Sequence, residues 1–421
     1  MVSFLVIIDG LGDRKIKELG DKTPLEKAQT PNLDFFAKNG SNGNVITVKK
    51  GLAPESDVAV MALLGFDPFK FHTGRGPIEC FGLGLKVSNG ELALRGNFST
   101  VDEDVLLDRR VGRTLSTKEA KALEKEINKK VKIDEKFIFK ASTEHRCVLL
   151  LKGKNLSAEI SNTDPFYERV KGLGAAKKNP RMDLQLAKPL NKSISSKYSA
   201  DLVNDFVFKA HKVMAVSKVN IKRLEKGLLP ANFLLFRDAG NHLPSFSADK
   251  KLIGWFGVTE MPLEIGMSEL AGMQVLSYKY PEIHSQSNPY FNLHEKLKCE
   301  INNAKKLISK NYNKAKGFYI HFKPTDVCGH DGNFNKKIEF IELLDKEFFS
   351  WLKEFMDSDK DKLAITADHA TPCSLKGHSD DSVPLIVFGN GFKSDKMKRF
   401  VENNSGSLRT IKGIEVIRLI R

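Results

Sequence analysis

"KLAITADHATP", residues 362–372, joins a run of apolar and small residues to an aspartate and a histidine. The run at 363–367 is typical of a buried strand, and Asp368 and His369 follow it directly. Both side chains are of types that ligate metal ions. The stretch therefore predicts a strand that ends at a metal or catalytic site.

Two further apolar runs have the same form. "FLVII" (4–8) ends at Asp9, and "GFYIHF" (317–322) is followed by "KPTD", which ends at Asp326. Continuous apolar runs of this length are typical of parallel strands that are covered on both faces. Ligands of such sheets bind beyond the carboxyl ends of the strands, so we expect Asp9, Asp326 and Asp368 to meet there.

Helical patterns lie between these runs. Residues 30–40 contain an N-cap threonine, a proline in the first turn and a final glycine, and residues 338–355 carry apolar side chains every three or four positions. The segments 251–258 and 383–389 are further strand candidates. The two ends of the chain together predict an α/β domain in which helices flank a mostly parallel sheet.

The middle of the chain has a different pattern. Alternating, hairpin-like stretches at 91–102 and 146–160 surround a helical stretch at 117–131. We predict that a smaller α+β domain, residues 72–249, is inserted between residues 1–71 and 250–421. The two outer segments would share the main sheet.

Histidines accompany the three aspartates. His330 lies four residues after Asp326, His369 follows Asp368, and His378 lies nine residues after His369. A set of carboxylates and imidazoles without thiolates suits Mn²⁺, Zn²⁺, Co²⁺ or Mg²⁺, and six ligands suit two ions about 4 Å apart. Each motif alone also fits a turn aspartate or a surface histidine. The prediction of a two-metal site therefore rests on the convergence of three strand ends.

A serine begins a predicted helix in "GLAPESDVAVMALLG" (51–65). Alone, Ser56 fits an ordinary N-cap serine. Next to two metal ions it can be a nucleophile whose alkoxide is stabilised, because a helix N-terminus favours an anionic phosphoryl group. The neighbouring Asp57 is either a base or a capping residue.

Charge and composition restrict the partners. The formal net charge is +15, which fits either a surface that attracts anions or a lysine-rich solvated surface. The lysines are spread along the chain and are not interleaved with aromatic residues, which argues against nucleic acid. No apolar run reaches membrane length, and the N-terminus has no basic leader. The five cysteines lack paired spacing, as in reduced thiols. We expect a cytoplasmic protein without membrane partners, and the sequence does not determine its oligomeric state.

Four stretches together resemble the cofactor-independent phosphoglycerate mutases of the archaeal type, which belong to the alkaline phosphatase superfamily. They are "DGLGDR" (9–14), "PESDVAVMALLGFDP" (54–68), "KPTDVCGHDG" (323–332) and "TADHATPCSLKGHS" (366–379). The resemblance covers nearly the whole chain and implies an alkaline-phosphatase-like fold. It also implies interconversion of 3-phosphoglycerate and 2-phosphoglycerate through a phosphoserine, without 2,3-bisphosphoglycerate, in glycolysis and gluconeogenesis.

The resemblance further implies a role for each matching residue. One divalent ion, Mn²⁺ before Mg²⁺, Co²⁺ or Zn²⁺, would be held by Asp9, Ser56, Asp368 and His369. The second ion would be held by Asp326, His330 and His378. Ser56 would carry the phosphoryl group, and Lys323 would neutralise its charge. Arginine forks of the inserted domain would bind the glycerate, chiefly the tandem pair Arg109 and Arg110, which could present two forks to a carboxylate. The other candidates are Arg75, Arg95, Arg113 and Arg146, with Arg237 as a weaker one.

Two alternatives stay open. A metal-dependent phosphatase, sulfatase or phosphopentomutase of the same superfamily would share the metal site, although "TGRGPIE" (73–79) and "DRRVGR" (108–113) resemble the mutases. A basic binding protein on a decayed enzyme fold would not need the complete ligand set. The sequence departs from the mutase pattern at Gly96, Ser382 and the stretch 282–296.

Overall fold

The computed structural model describes residues 1–170, 172–177, 182–248, 251–282, 288–403 and 406–421. Its strands are β1 (Ser3–Ile8), β2 (Ser41–Ile46), β3 (Leu92–Asp102), β4 (Val105–Asp108), β5 (Phe137–Ala141), β6 (Arg146–Leu151), β7 (Tyr167–Val170), β8 (Leu173–Ala176), β9 (Phe233–Gly240), β10 (Trp255–Val258), β11 (Gln274–Leu276), β12 (Gly317–Phe322), β13 (Lys362–Thr366), β14 (Val383–Gly389) and β15 (Arg409–Lys412).

The α-helices are α1 (Pro24–Lys27), α2 (Pro31–Asn39), α3 (Ser56–Leu63), α4 (Pro68–Phe71), α5 (Arg75–Gly82), α6 (Thr117–Lys130), α7 (Ile194–Ala215), α8 (Lys218–Glu225), α9 (Pro262–Leu270), α10 (Pro289–Asn311), α11 (Pro324–Asp331), α12 (Phe334–Leu344), α13 (Ser350–Phe355) and α14 (Gly413–Ile420). Within the described ranges, no helix combines the length and the apolar character needed to cross a membrane.

The larger sheet has eight strands in the order β11-β10-β12-β1-β13-β14-β2-β15. The strands from β11 to β13 run parallel to one another, whereas β14 is antiparallel to both of its neighbours. Helices pack against this sheet, with α2 on β14, α10 on β12 and α14 on β13. The predicted α/β class with a mostly parallel sheet is therefore confirmed.

The central strands are buried along their whole length, as their continuous apolar sequences predict. Every residue of β1 and β12 is buried. The Phe4 ring stacks on the Phe318 ring of the neighbouring strand, with centroids 5.7 Å apart, and the Phe318 ring stacks on that of Phe256 at 5.8 Å. These contacts fix the lateral order of β10, β12 and β1.

The register of the central strands brings their carboxyl ends together. β1 pairs with β12 up to Ile8 and Phe322, and with β13 up to Ile7 and Thr366. Because all three strands are parallel, the residues that follow them emerge at the same edge of the sheet. These residues include Asp9, Lys323 and Asp368.

The middle of the chain forms a separate antiparallel sheet. β4, β3, β6 and β5 are neighbours in this order, and β9 also pairs with β3. Helix α6 packs on β5 and α7 on β9, around an apolar core of its own. The predicted α+β pattern is present, whereas the domain bounds stay a prediction, and the one at 249–250 lies outside the described residues.

Packing of this second sheet explains one departure from the mutase pattern. Gly96 lies in β3, where a Cβ atom would come within 2.7 Å of the Phe236 ring and 2.9 Å of Cys147 Sγ. A larger side chain therefore needs a different arrangement of these neighbours. Ser382 precedes β14, and residues 283–287 of the poorly matching stretch lie outside the described residues.

Two predicted elements differ in detail. The helix predicted at 338–355 is interrupted by a π-helical turn, Asp345–Phe349, between α12 and α13. This turn carries Asp345, whose carboxylate accepts the N–H groups of Asn32 (3.1 Å) and Leu33 (2.7 Å) at the start of α2. Asp345 therefore caps α2, whereas the predicted N-cap residue, Thr30, makes no side-chain cap bond.

The strand predicted at 251–258 is wrong over its first half. β10 begins only at Trp255, because Gly254 has φ +86° and turns the chain. An extended strand does not contain this left-handed conformation.

Candidate metal centre and active site

Three groups of ligand-type side chains meet at the carboxyl edge of the main sheet. In each group, one ligand atom per residue lies within 4.8 Å of the others, and the groups are Asp326–His330–His378, Asp9–Asp326–His369 and Asp9–His321–Asp368. All predicted aspartate and histidine ligands are among them, and Ser56 Oγ lies 3.3 Å from His369 Nε2. The structure thus brings together every residue for which the sequence predicted metal binding.

The first part of the centre surrounds His369. Its Nε2 atom lies 3.5 Å from Asp9 Oδ1 and 3.3 Å from Asp368 Oδ2. Asp368 Oδ1 accepts the backbone N–H groups of Gly10 (3.1 Å) and His369 (3.0 Å), which fixes the carboxylate. Gly10 can provide its N–H group because its φ of +60° turns the chain sharply after β1.

The second part of the centre surrounds Asp326. Helix α11 places Asp326 and His330 one turn apart. His330 Nε2 and His378 Nε2 each lie 3.5 Å from an Asp326 oxygen, while their Nδ1 atoms lie near backbone carbonyl groups. Burial lowers the pKa of His330 to about 3 and that of His369 to about 4, so both imidazoles are neutral near pH 7, the form that binds metals. At His378, the carboxylates of Asp326 and Glu55 outweigh the effect of burial and raise the pKa to about 10, so this imidazole would release a proton on binding a metal ion.

Among the described residues, two carboxylates of the centre, those of Asp9 and Asp368, each leave one buried oxygen without a hydrogen-bond partner. These atoms are Asp9 Oδ1 and Asp368 Oδ2. Burial, together with repulsion from Asp368, raises the pKa of Asp9 to about 7, and burial also raises the pKa of Asp368. Buried carboxylate oxygens without partners are unfavourable, and divalent cations would satisfy them. The residues present therefore fit divalent metal ions.

Two buried residues, His321 and Glu264, extend the centre beyond the predicted set, and both lie close to the predicted Lys323 or Asp9. Lys323 Nζ lies 2.7 Å from Asp9 Oδ2 and 2.5 Å from Glu264 Oε1. His321 Nε2 lies 3.4 Å from Asp9 Oδ2, and its Nδ1 lies 3.0 Å from the Tyr319 hydroxyl. The sequence signal for His321 was its position as an ionisable residue within an otherwise apolar strand. Glu264, near the start of α9, had no comparable signal.

A cavity of about 130 Å³ adjoins the metal centre. Ser56 and Lys323 line it from the side of the main sheet. Six arginines line it as well, namely Arg75, Arg95, Arg110, Arg113, Arg146 and Arg237. Five of the six predicted substrate-binding arginines thus face the same cavity, together with the weaker candidate Arg237.

Arg109 is the predicted arginine that does not line this cavity. Its guanidinium forms a bidentate ion pair with Asp164, with Nε–Oδ1 at 3.2 Å and Nη2–Oδ2 at 2.7 Å. It also lies over the Phe166 ring, 4.3 Å from the centroid. The charge of Arg109 therefore already has a partner within the protein.

Arg95 and Arg110 are cavity arginines whose positive charges have few hydrogen-bond and ion-pair partners. Among the described residues, the Arg110 guanidinium has no hydrogen bond or ion pair, and Arg95 Nε has no hydrogen-bond partner. Burial, together with repulsion from neighbouring arginines, lowers the pKa of Arg95 to about 9 and that of Arg110 to about 10. An anion in the cavity would supply the missing negative charge.

Ser56 is the first residue of α3, and Glu55 occupies the N-cap position. The Glu55 carboxylate accepts a hydrogen bond from Arg237 Nη1 at 2.8 Å, which connects the serine's neighbour to the second sheet. Asp57 pairs with His72 Nε2 at 2.6 Å, and both side chains are buried. Asp57 does not line the cavity, and its carboxylate lies within hydrogen-bond distance of a histidine ring instead.

Comparisons with known proteins decide the family. Residues 37–220 match the family model of the 2,3-bisphosphoglycerate-independent phosphoglycerate mutases. An enzyme of this name from Methanosphaera stadtmanae is 37% identical, with the match covering 100% of this chain and 97% of the relative. The chain belongs to this family. The predicted phosphoglycerate mutase, an enzyme of the isomerase class, is therefore confirmed and favoured over the phosphatase, sulfatase and phosphopentomutase alternatives.

Solved structures extend the similarity to the fold of the mutase family. A protein from Pyrococcus horikoshii is 29% identical with a TM-score of 0.76, covering 100% of this chain and 96% of its own. The cofactor-independent phosphoglycerate mutase from Thermoplasma acidophilum is 26% identical with a TM-score of 0.55, covering 100% and 99%. Both matches span the main sheet and the second sheet of this mutase-family chain.

A buried lysine holds together the loops that carry the metal ligands of this family member. Lys337 Nζ donates to Gly12 O (3.2 Å), Asp13 Oδ2 (2.8 Å) and Thr371 O (3.0 Å), and its side chain is fully buried. Replacing Lys337 with methionine would leave the Asp13 carboxylate buried without its cation. We expect the free energy of unfolding to fall by about 3–5 kcal/mol, measured by urea denaturation.

The adjacent lysine provides the control for this prediction. Lys336 forms an exposed ion pair with Glu339 at 2.6 Å, so Lys336→Met should change the free energy of unfolding by less than about 1 kcal/mol. Equal stability of the two variants would show that Lys337 does not hold these loops.

Proposed function

We propose that this chain interconverts 3-phosphoglycerate and 2-phosphoglycerate through a phosphoserine on Ser56, at two divalent cations and without 2,3-bisphosphoglycerate as a cofactor. The position of Ser56 carries the proposal. Its hydroxyl lies 3.3 Å from His369 Nε2, and the residue lines a cavity that six arginines share. This arrangement supports transfer of a phosphoryl group from a small anionic substrate in glycolysis and gluconeogenesis.

The proposed cations divide the ligands into two sets. Asp9, Ser56, Asp368 and His369 would hold one cation, and Asp326, His330 and His378 would hold the other. Mn²⁺ is our first choice, with Mg²⁺, Co²⁺ and Zn²⁺ as alternatives, because the set mixes carboxylates with imidazoles. When bound, the cations would neutralise the phosphomonoester and lower the pKa of the Ser56 hydroxyl.

Side chains of the protein carry out the transfer of the phosphoryl group. Ser56 Oγ attacks the phosphorus atom, the bond between phosphorus and the glycerate oxygen breaks, and the phosphoryl group remains on the serine. The N-terminus of α3 favours the anionic group, and the Lys323 ammonium adds positive charge beside Asp9. The proton released by the Ser56 hydroxyl balances the one taken up by the glycerate oxygen that leaves. The glycerate stays bound and reorients, and its other hydroxyl loses a proton and attacks the phosphorus atom. The bond between phosphorus and Ser56 Oγ then breaks and the serine hydroxyl is restored.

Retention of the glycerate distinguishes a mutase from a phosphatase. We assign this role to the cavity arginines, above all Arg95 and Arg110, whose charged groups have few partners among the described residues. The second sheet, whose arginines line the cavity, would have to keep water out while the glycerate is bound. We further propose a cytoplasmic location and a phosphoglycerate as the partner, with neither nucleic acid nor membrane.

An enolase-coupled assay tests this function. The purified protein receives 3-phosphoglycerate and Mn²⁺ in the absence of 2,3-bisphosphoglycerate, and we expect 2-phosphoglycerate as the main product. Release of inorganic phosphate as the main product would instead favour a phosphatase.

Loss of Arg110 should shift the product from 2-phosphoglycerate to inorganic phosphate. In Arg110→Ala, the glycerate loses a charge-assisted contact worth roughly 1.5–3 kcal/mol and should escape ~10- to 100-fold more often before the second transfer. The phosphoserine that remains is then open to water. Both products are measured in one reaction of 3-phosphoglycerate, wild type beside variant.

Arg169→Ala is the matched control for the loss of one positive charge in the inserted domain. Arg169 donates to Ala158 O at 2.8 Å and does not line the cavity, so its variant should keep the wild-type product ratio. If Arg110→Ala behaves like Arg169→Ala, Arg110 does not hold the glycerate.

A further inference from the structure

The Thr371 side chain connects the two parts of the metal centre. Its Oγ1 atom lies 2.7 Å from Asp326 Oδ1 and 3.1 Å from His369 Nδ1, and the residue is fully buried. Asp326 belongs to one proposed cation set and His369 to the other. One hydroxyl group therefore contacts a ligand of each cation without being a ligand itself.

The tautomer of His369 follows from which atoms in this contact can donate a hydrogen. A hydroxyl carries one hydrogen, and an ionised carboxylate can only accept. The Thr371 hydroxyl therefore donates to Asp326 and must accept a hydrogen from His369 Nδ1. This leaves the lone pair of Nε2 facing Asp9, Asp368 and Ser56, as a metal ligand requires.

The surroundings hold Thr371 in this position. Its N–H group donates to Gly12 O at 3.0 Å. A Cβ atom on Gly10 would lie 2.6 Å from Thr371 Oγ1, and a Cβ atom on Gly329 would lie 2.2 Å from Thr371 O. Two glycines thus allow the backbone to approach the threonine closely, and the hydroxyl has little freedom to turn elsewhere.

We infer that Thr371 is a positioning residue that sets the His369 tautomer and links the geometry of the two cation sites. The inference rests on the proposed two-cation centre. Partners of this kind behind a ligating histidine typically change metal affinity by ~10- to 100-fold. Thr371 would act through His369 and Asp326 and would not touch the substrate.

Two variants separate the hydroxyl from the shape of the side chain. Thr371→Val keeps the branched shape and removes the hydroxyl, whereas Thr371→Ser keeps the hydroxyl. We expect Thr371→Val to bind Mn²⁺ ~10- to 100-fold more weakly in calorimetric titrations, and Thr371→Ser to bind close to the wild-type affinity. Thr100→Val is the matched control, because Thr100 is equally buried and donates to Pro230 O at 2.7 Å in the second sheet.

A second measurement reads the tautomer without any change at Thr371. The ¹⁵N shifts of the histidine side chains are recorded for the metal-free wild type, and His369 is assigned by comparison with His369→Gln. We expect the hydrogen of the His369 ring on Nδ1. A hydrogen on Nε2 would overturn the inference even if Thr371→Val failed to fold.

The titrations distinguish this inference from the proposed function. A wild type that binds no Mn²⁺ would contradict the two-cation centre itself. A wild type that binds Mn²⁺, beside a folded Thr371→Val that binds it equally well, would overturn the role of Thr371 alone.

Discussion

Replacement of Ser56 by alanine should lower the rate of phosphoglycerate interconversion by at least ~10³-fold while the protein stays folded. Among the described residues that line the cavity, Ser56 is the only serine or threonine. No other aliphatic hydroxyl of the lining can therefore take the phosphoryl group. The side chain is small and stands at the first position of α3, so its loss removes little packing.

The measurement combines the coupled assay with mass spectrometry. An acid-quenched turnover of the wild type should place a phosphate on the peptide that contains Ser56, and the alanine variant should carry none. Ser99→Ala, a buried serine of β3 outside the cavity, is the control and should keep the wild-type rate. A phosphate on another residue, or a nearly normal rate of Ser56→Ala, would contradict the phosphoserine.

The metal ligands could be predicted because their positions follow from strand geometry alone. Asp9 and Asp368 come directly or almost directly after apolar runs, and parallel pairing carries such residues to one edge of the sheet. Asp326 and His330 stand four residues apart, a spacing that one turn of helix brings together. These predictions need only the local sequence and the assumption that the three strands are parallel neighbours in one sheet.

The remaining parts of the site depend on partners that are distant in the sequence. Nothing near Arg109 indicates that Asp164, 55 positions later, removes it from the cavity. Glu264 reaches Lys323 only because α9 packs against β10, the neighbour of β12 in the sheet. The π-helical turn carries Asp345, whose carboxylate accepts an N–H group at the start of α2, more than 300 residues earlier in the sequence. Patterns in a single sequence depend on neighbouring residues and do not indicate contacts between residues that are far apart in the chain.

Removal of divalent cations should abolish the activity, and added Mn²⁺ or Co²⁺ should restore it. The physical reason is the group of buried carboxylates, whose oxygens Asp9 Oδ1 and Asp368 Oδ2 lack hydrogen-bond partners in the described part of the protein. Without cations, the dianionic phosphate of the substrate would enter a site that already holds this negative charge. The rate is measured after exhaustive chelation, with metal content checked by elemental analysis.

Substitutions of different ligands should lower the content of the two cations to different degrees, according to the ligand groups to which each residue belongs. Although Asp326 is assigned to one cation, it also lies in the ligand group of Asp9 and His369, which belong to the other cation, whereas His330 lies in one group only. We therefore expect Asp326→Asn to weaken both cations and to lower the rate by at least ~10³-fold, and His330→Gln to weaken mainly one cation. Asp205→Asn, which removes a carboxylate from an exposed ion pair on α7, should keep full metal content and rate.

Full activity at a metal content near zero would contradict the two-cation centre. Equal loss of metal in Asp326→Asn and His330→Gln would instead mean that the two cations bind only together, as the Thr371 bridge between their ligands would allow.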